Sequence, residues 1–323
     1  MADLRLQLAS SWLQERLGEG VELTALAGDA SSRRYFRVTR QQQSWILMDA
    51  PQQRGVIESF VRICNWLMAG GVRVPEVVAQ CVDSDLLLLE DLGDRTWAAA
   101  VAQGADVETL MADALDQLLR LQSLDGSSIS LPPFDAARIQ RECALYIDWY
   151  LPYLRGEGVG SGERKLLFTA LTPLFDHLTS QPQVAVHLDY HSRNLMVPDG
   201  GVPLGVIDFQ DACTAPVSYD LASLLYDCYQ SYGIEKTEGW SRDFYAMLPT
   251  AQRSFYGDWE GWHRSLLLTS LQRHIKVCGI FVRLAQRDGK EQFLESLPQT
   301  RAHLLYEADA LADEVKQLRP WLA

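Results

Sequence analysis

The period of the hydrophobic pattern changes along this 323-residue chain. Leu4, Leu8, Trp12 with Leu13, and Leu17 recur at helical spacing, which predicts an amphipathic first helix ending near Gly18 and Gly20. Extended segments follow at residues 34–39, 44–48, 77–82 and 86–90, separated by Gly, Asp, Gln and Ser as in an antiparallel sheet. Between the second and third, Ile57, Phe60, Val61, Cys64 and Leu67 fall on one helix face, and Gly70-Gly71 ends it. From about residue 97 to 123 the chain reads as helical, and helices dominate the rest. Two apolar strands, 184–188 and 204–209, and a loop at 156–162 with four glycines interrupt the helices. The expected architecture is α+β. Residues 1–92 form a small lobe of helix plus antiparallel sheet, and residues 93–323 form a larger, mainly helical lobe.

Composition narrows the partners. Lys+Arg 29 against Asp+Glu 42 leaves a formal net charge of −13, which argues against sequence-independent binding to nucleic acid or anionic lipid. No apolar run approaches the roughly 18 residues of a membrane span. Residues 1–18 lack the basic and apolar regions of a signal peptide. The six cysteines are scattered without a C-x-x-C pair, which fits neither a zinc site nor a disulfide framework. A soluble, reduced, cytoplasmic protein is the expectation. The lysine count adds one oddity: there are five, and the first is Lys165.

The chemistry concentrates in His187-Leu188-Asp189-Tyr190-His191-Ser192-Arg193-Asn194, followed by Val206-Ile207-Asp208-Phe209-Gln210-Asp211. A strand ends at one Asp, a polar loop returns an Asn, and a second strand ends at another Asp. Asn194 and Asp208 supply oxygen ligands suited to a hard cation such as Mg²⁺. Asp189 is placed to accept a proton from an incoming hydroxyl. A base and a metal pair are what phosphoryl transfer needs, because positioning and charge neutralisation supply most of its catalysis.

The layout His187-x-Asp189-x₄-Asn194 matches the catalytic loop of protein kinases, with a metal-binding Asp after the next strand. With His191 two residues after Asp189, and Asp208-Phe209 in place of D-F-G, it resembles the aminoglycoside phosphotransferase and choline kinase superfamily. That resemblance implies a bilobal protein-kinase-like fold, ATP and Mg²⁺, and catalytic roles for Asp189, His187, His191 and Asn194. It likens residues 28–38, with Asp29, Ser31, Ser32, Arg33 and Arg34, to the loop and strand that cover the nucleotide phosphates. It likens residues 86–93 to an interlobe hinge whose backbone near Leu89, Glu90 and Asp91 pairs with adenine. Asp220 would brace the catalytic loop. One departure stands out: superfamily members carry a third-strand Lys for the α/β-phosphates, and here the best candidate position holds Met48. Either Arg33 or Arg34 substitutes, or the chain is a degenerate, non-catalytic member. Gly289-Lys290 precedes Glu291, so no P-loop is present.

Several further blocks together resemble the bacterial anomeric kinases for N-acetylmuramate and N-acetylglucosamine, which act in cell-wall sugar recycling. They are residues 28–36, 47–51, 89–93, 271–281 and 287–290. The resemblance implies phosphorylation of the anomeric hydroxyl to an α-1-phosphate that a uridylyltransferase can use. Candidate sugar contacts are Asp211, which reads equally as a second metal ligand or a solvated loop acid, and Trp149 and Tyr150, which read as a stacking surface or as core. On the late helix Leu271, Ile275, Cys278 and Val282 share one face and Lys276, Arg283 and Arg287 the other. That basic stripe, with Arg273 nearby, reads as a solvated face or as an attractor for a carboxylated sugar. A kinase for a cationic small molecule such as an aminoglycoside or choline, and a kinase-like scaffold protein, are the competing readings.

Overall fold

The computed structural model describes residues 4–26, 33–51 and 54–322. Contacts divide the chain into two compact units, Met1–Arg95 with Met196–Gln210, and Thr96–Leu195 with Asp211–Ala323.

The first unit is built on a five-stranded antiparallel sheet: β1 (Glu22–Leu26), β2 (Arg34–Arg40), β3 (Gln43–Asp49), β4 (Val77–Cys81) and β5 (Leu86–Glu90), in the order β1-β2-β3-β5-β4. Period-two alternation decides which residues meet. Phe36 pairs with Leu47 and Leu47 with Leu88 across the sheet, so one face presents Phe36, Val38, Leu47, Leu86 and Leu88 to Ala9, Trp12 and Leu13 of helix α1 (Leu4–Leu17). The alternate residues Met48, Leu87 and Leu89 are just as deeply buried on the other face. Helix α2 (Arg54–Ala69) buries Ile57, Phe60, Ile63, Cys64 and Leu67, the stripe its periodicity predicts apart from Ile63 in place of Val61. Strand β1 lies outside the four expected extended segments. None of its residues is buried, so its order comes from the backbone ladder to β2, Glu22↔Thr39 through Leu26↔Tyr35, which leaves little hydrophobic signal.

Residues 196–210 complete this unit. Val197 N–H donates to Arg95 O at 2.7 Å, Val206 N–H donates to Arg73 O at 2.7 Å, and the Phe209 ring sits 4.7 Å from that of Phe60. The apolar run expected as a strand over 204–209 shortens to Gly205–Val206.

In the second unit the stretch expected to be helical, 97–123, forms two helices, Trp97–Ala102 and Val107–Ser123. Gly104 turns the chain at φ 88°, and Asp106 caps the new helix by accepting from Glu108 and Thr109 N–H. A strand that sequence patterning passes over, Cys213–Pro216, pairs antiparallel with Gln183–Val186 and delivers the chain to His187. The central element is the thirty-residue helix Trp259–Asp288. Leu271, Ile275, Cys278 and Val282 are buried as expected, but its polar face is not solvated along its length: Lys276 and Arg273 are buried, and only Arg287 of the basic stripe is exposed. Midway, a Cβ on Gly279 would lie 2.3 Å from the Leu145 carbonyl carbon and 2.6 Å from Tyr146 N, so only glycine admits this approach. The neighbouring helix is widened there into a π-turn, Tyr146–Tyr150. Among the described residues no helix is long and apolar enough to cross a membrane.

Candidate active site

The loop His187–Asn194 is fixed from several sides. Its entry is held by Asp220, in the first turn of the helix Tyr219–Leu225, whose carboxylate accepts from His187 N–H at 2.6 Å and Leu188 N–H at 2.9 Å. Asp220 therefore braces the loop, the role its sequence context implies. Burial pushes its carboxyl up to about 6, while His187 and the two amides act in the opposite direction. Leu188 takes a left-handed conformation, φ 78°, which for a residue with a Cβ costs about 1–3 kcal/mol and persists only where the surroundings dictate it. Here the Asp220 bonds and the burial of Leu188 do so, and the kink turns the chain into Asp189.

Asp189 is half-buried. Its backbone N–H donates to His187 Nδ1 at 3.2 Å, an arrangement that leaves the ring proton on Nε2. Its carbonyl accepts from His191 N–H at 3.1 Å and from Asn194 Nδ2 at 2.9 Å, closing the loop on itself. Among the described residues no group hydrogen-bonds the Asp189 carboxylate. Burial alone would raise its pKa, but Lys276, with His191, His187 and Arg273, holds it below the usual carboxylate range. Asp189 is thus an ionised acceptor at neutral pH. His191 is itself held low, mainly by burial and against the pull of Asp227 and Asp189, with its ring edge-on to Tyr229.

The middle of the loop is anchored by a residue that sequence motifs do not mark. Asp227 accepts from Ser192 N–H at 2.8 Å and from Tyr229 N–H at 2.7 Å, and the guanidinium of Arg193 lies 3.7 Å over the Tyr229 ring. Tyr190 Oη donates to Ala114 O at 2.8 Å, tying the loop to the helix Val107–Ser123.

The oxygen chemistry expected of metal ligands is present on both candidates. Asn194 spends its amide nitrogen on the Asp189 carbonyl, which leaves Oδ1 as its open acceptor. Asp208, exposed and left-handed at φ 65°, accepts from Gln210 Nε2 on one oxygen at 2.7 Å. An amide oxygen and a carboxylate suit a hard cation such as Mg²⁺, whose remaining ligands are usually water and phosphate. Asp208 belongs to the first unit and Asn194 to the second. Among the described residues no group of three or more His, Cys, Asp or Glu side chains is arranged to hold a metal on its own.

Of the expected nucleotide contacts, Asp29, Ser31 and Ser32 lie outside the described residues. Arg34 binds the buried carboxylate of Asp49 through Nε at 3.0 Å and Nη2 at 2.5 Å, and Arg5 binds the other oxygen of that group. Met48, where superfamily members would place lysine, is fully buried and accepts from Tyr35 Oη at 3.4 Å. The Tyr35 hydroxyl is pushed up by burial, pulled down by Arg33 and pushed up by Asp208, so these three share one electrostatic neighbourhood at the start of β2. Leu89 is inside the sheet, Glu90 pairs with Arg73, and Asp91 pairs with Arg37 at 2.7 Å.

The expected sugar contacts are dispersed. Tyr150 is core, its ring 4.7 Å from that of Tyr146 on the π-turn; Trp149 is half-buried beside it and Asp211 is exposed. Arg273 alone of the four lies within electrostatic reach of Asp189.

Comparison with known proteins agrees with this geometry. The model of the phosphotransferase enzyme family matches residues 22–263. A Pseudomonas putida protein named N-acetylmuramate/N-acetylglucosamine kinase is 36% identical, over 99% of this chain and 94% of its own length. A Pseudomonas aeruginosa protein of the same name is 34% identical, over 92% and 90%. Among solved structures, a choline/ethanolamine kinase family protein from Mesorhizobium loti superposes with TM-score 0.64 at 13% identity, covering 98% of this chain and 99% of its own. An aminoglycoside 2'-phosphotransferase-IIIa mutant in its GDP complex reaches 0.62 at 17%, covering 92% and 97%. With the family model spanning most of the sequence and relatives aligning nearly end to end, this chain belongs to the phosphotransferase enzyme family.

Proposed function

We propose that the protein is an ATP-dependent kinase that phosphorylates the anomeric hydroxyl of N-acetylmuramate and N-acetylglucosamine. The observation that carries this reading is the Asp189 carboxylate, ionised and unclaimed by hydrogen bonds from the described residues, on a loop fixed at both ends and at its middle. The near full-length likeness to kinases named for those two sugars supplies the acceptor.

In this reading Asp189 takes the hydroxyl proton as the sugar oxygen attacks the γ-phosphorus. The new O–P bond forms, the bond to ADP breaks, and the proton stays on the carboxylate. An anomeric hydroxyl is more acidic than an ordinary alcohol, so a carboxylate held below its usual pKa suffices. His187 and His191 shape the loop beside the base, and Asn194 closes it. Asn194 and Asp208 would hold Mg²⁺, which neutralises phosphate charge. Arg33 or Arg34, beside each other at the start of β2, would take the place of the absent third-strand lysine, and Arg34 also binds Asp49. The segment that holds Asp29, Ser31 and Ser32 would cover the phosphates, and the backbone at Leu89, Glu90 and Asp91 would take the adenine. The product, an α-1-phosphate, suits a uridylyltransferase, and a reaction drawing on ATP with six unpaired thiols is assigned to the cytoplasm.

The charges around Asp189 weigh against a cationic acceptor. Lys276 and Arg273 place positive potential there, which would repel an aminoglycoside or choline. Coupled ADP-release assays with N-acetylmuramate, N-acetylglucosamine, choline and kanamycin test the assignment. Turnover of the two amino sugars alone is expected; turnover of only the cations, or of nothing, would overturn it.

A further inference from the structure

The polar face of the helix Trp259–Asp288 carries a cluster that the loop chemistry leaves unused. Little more than one turn places Gln272, Arg273 and Lys276 in the interior of the second unit, where they are 0%, 3% and 7% exposed. Around them are Glu142 and Tyr219. Glu142 accepts from Gln272 Nε2 at 3.3 Å and from Arg138 Nε at 3.3 Å, and lies 3.9 Å from Lys276 Nζ. Lys276 donates to Tyr219 Oη at 3.1 Å, and the guanidinium of Arg273 sits 5.7 Å over the Tyr219 ring.

The hydrogen bonding does not close. Arg273 Nε and Nη1 are buried without an acceptor, as is Gln272 Oε1 without a donor. Arg273 carries a permanent charge and five donors, and among the described residues it forms no ion pair. Buried charge without a partner, and buried donors without acceptors, are costly enough that native interiors seldom leave them so. The one carboxylate of the cluster, Glu142, is already shared by Arg138, Lys276 and Gln272. What the cluster lacks is an anionic oxygen, and it lacks it within electrostatic reach of the base Asp189.

We infer that Arg273, supported by Lys276 and Gln272, is the receptor for a carboxylate on the acceptor sugar, so that this cluster sets the preference for a carboxylated amino sugar over its neutral counterpart. The inference rests on the sugar-kinase reading above and deepens it. A bound carboxylate would satisfy the open guanidinium donors, and the planar fork of an arginine suits carboxylate geometry better than an ammonium does. A neutral sugar would leave the donors as they are, and so would gain less.

The test needs no mutation at first. N-acetylmuramate and its methyl ester share every group except the charge of the lactyl carboxylate, and kcat/KM for the two is measured with the unmodified protein and Mg-ATP. At least a tenfold preference for the acid is expected. In Arg273→Gln the acid-to-ester ratio should collapse to within about threefold, and Arg273→Lys should restore part of it, since some charge returns. Equal use of acid and ester by the unmodified protein, or a ratio untouched in Arg273→Gln, would overturn the inference while leaving the sugar-kinase reading intact. Turnover of no amino sugar by the unmodified protein would overturn that reading and the inference together. If Arg273→Gln does not fold, the acid-against-ester comparison on the unmodified protein decides the matter alone.

Discussion

The two units place positive charge in opposite ways. In the first, each of these arginines is ion-paired: Arg5 and Arg34 on Asp49, Arg37 on Asp91 and Asp94, Arg73 on Glu90. In the second, buried Arg273 forms no ion pair among the described residues, buried Lys276 lies 3.9 Å from a carboxylate it shares with Arg138, and the charges of both act on Asp189. A paired guanidinium with its donors satisfied is explained by the fold it holds. An under-paired one, buried at a cost, asks for something the protein chain does not contain. The contrast separates structural from functional charge without reference to any motif.

The sharpest way to break this distinction is at the acceptor that the surplus charge surrounds. Asp189→Asn keeps the loop's backbone bonds but removes the proposed base, and kcat should fall about 100- to 10,000-fold, the range typical of general-base loss. Mg-ATP affinity, measured by calorimetry, should change less than threefold. Retained turnover would mean that the positive field around residue 189 serves another group.

The next effect tests what full pairing contributes in an interior. His274 and Glu307 are both fully buried, with Nδ1 2.9 Å from the carboxylate and Nε2 3.0 Å from Tyr226 O. Burial would lower the His274 pKa, but Glu307 and Cys228 raise it to about 10 against an ordinary 6.5. The folded state thus keeps a proton that the unfolded chain releases. The stability this supplies is complete below pH 6.5 and is lost as pH rises through about 10. Glu307→Gln should cost about 3 kcal/mol at pH 6.5, as breaking a buried ion pair does, and should flatten that alkaline loss. Urea midpoints at pH 6.5 and 9.5 read both; an unchanged slope between them would show that His274 is not the group responsible.

The contrast also explains how much was legible in the sequence. Strands β2, β3 and β5 announced themselves because Phe36, Val38, Leu47 and Leu88 alternate into one core, whereas β1 buries nothing and is held by its ladder to β2. The loop His187–Asn194 was legible because its chemistry requires fixed residue types at fixed spacing. Asp227, which anchors the same loop, was not, since a carboxylate accepting two backbone amides can come from any distance in the chain. Lys276 was visible in a basic stripe with Arg283 and Arg287, but periodicity cannot distinguish a polar face turned to water from one turned to a buried polar cluster. Trp149 and Tyr150 were ambiguous for a related reason: aromatic spacing looks alike in a core and in a sugar platform, and Tyr150, buried and packed on Tyr146, is core while Trp149 is half-buried.

A smaller effect separates the two neighbouring arginines at the start of β2. Arg33→Met should raise the KM for ATP about tenfold, the scale of one charge-assisted hydrogen bond. Arg34→Met should instead lower the melting temperature and leave that KM within about threefold, because its guanidinium is spent on Asp49. Reversal of the two outcomes would make Arg34 the nucleotide ligand and Asp49 its switchable partner.

The smallest effect belongs to the pairs that look best by distance. Arg319 Nη2 reaches Asp309 at 2.5 Å, yet both side chains are more than half exposed, at 55% and 70%. Water solvates each group nearly as well alone, and holding two long side chains in one geometry costs entropy, so exposed pairs contribute little. Arg319→Ala should therefore shift the melting temperature by no more than about 2 °C, since a full kcal/mol moves a chain of this size only a few degrees. A drop comparable to that of Glu307→Gln would mean that distance, rather than burial and the count of available partners, governs what a charge does here, and the reading of Arg273 as a receptor would lose its physical basis.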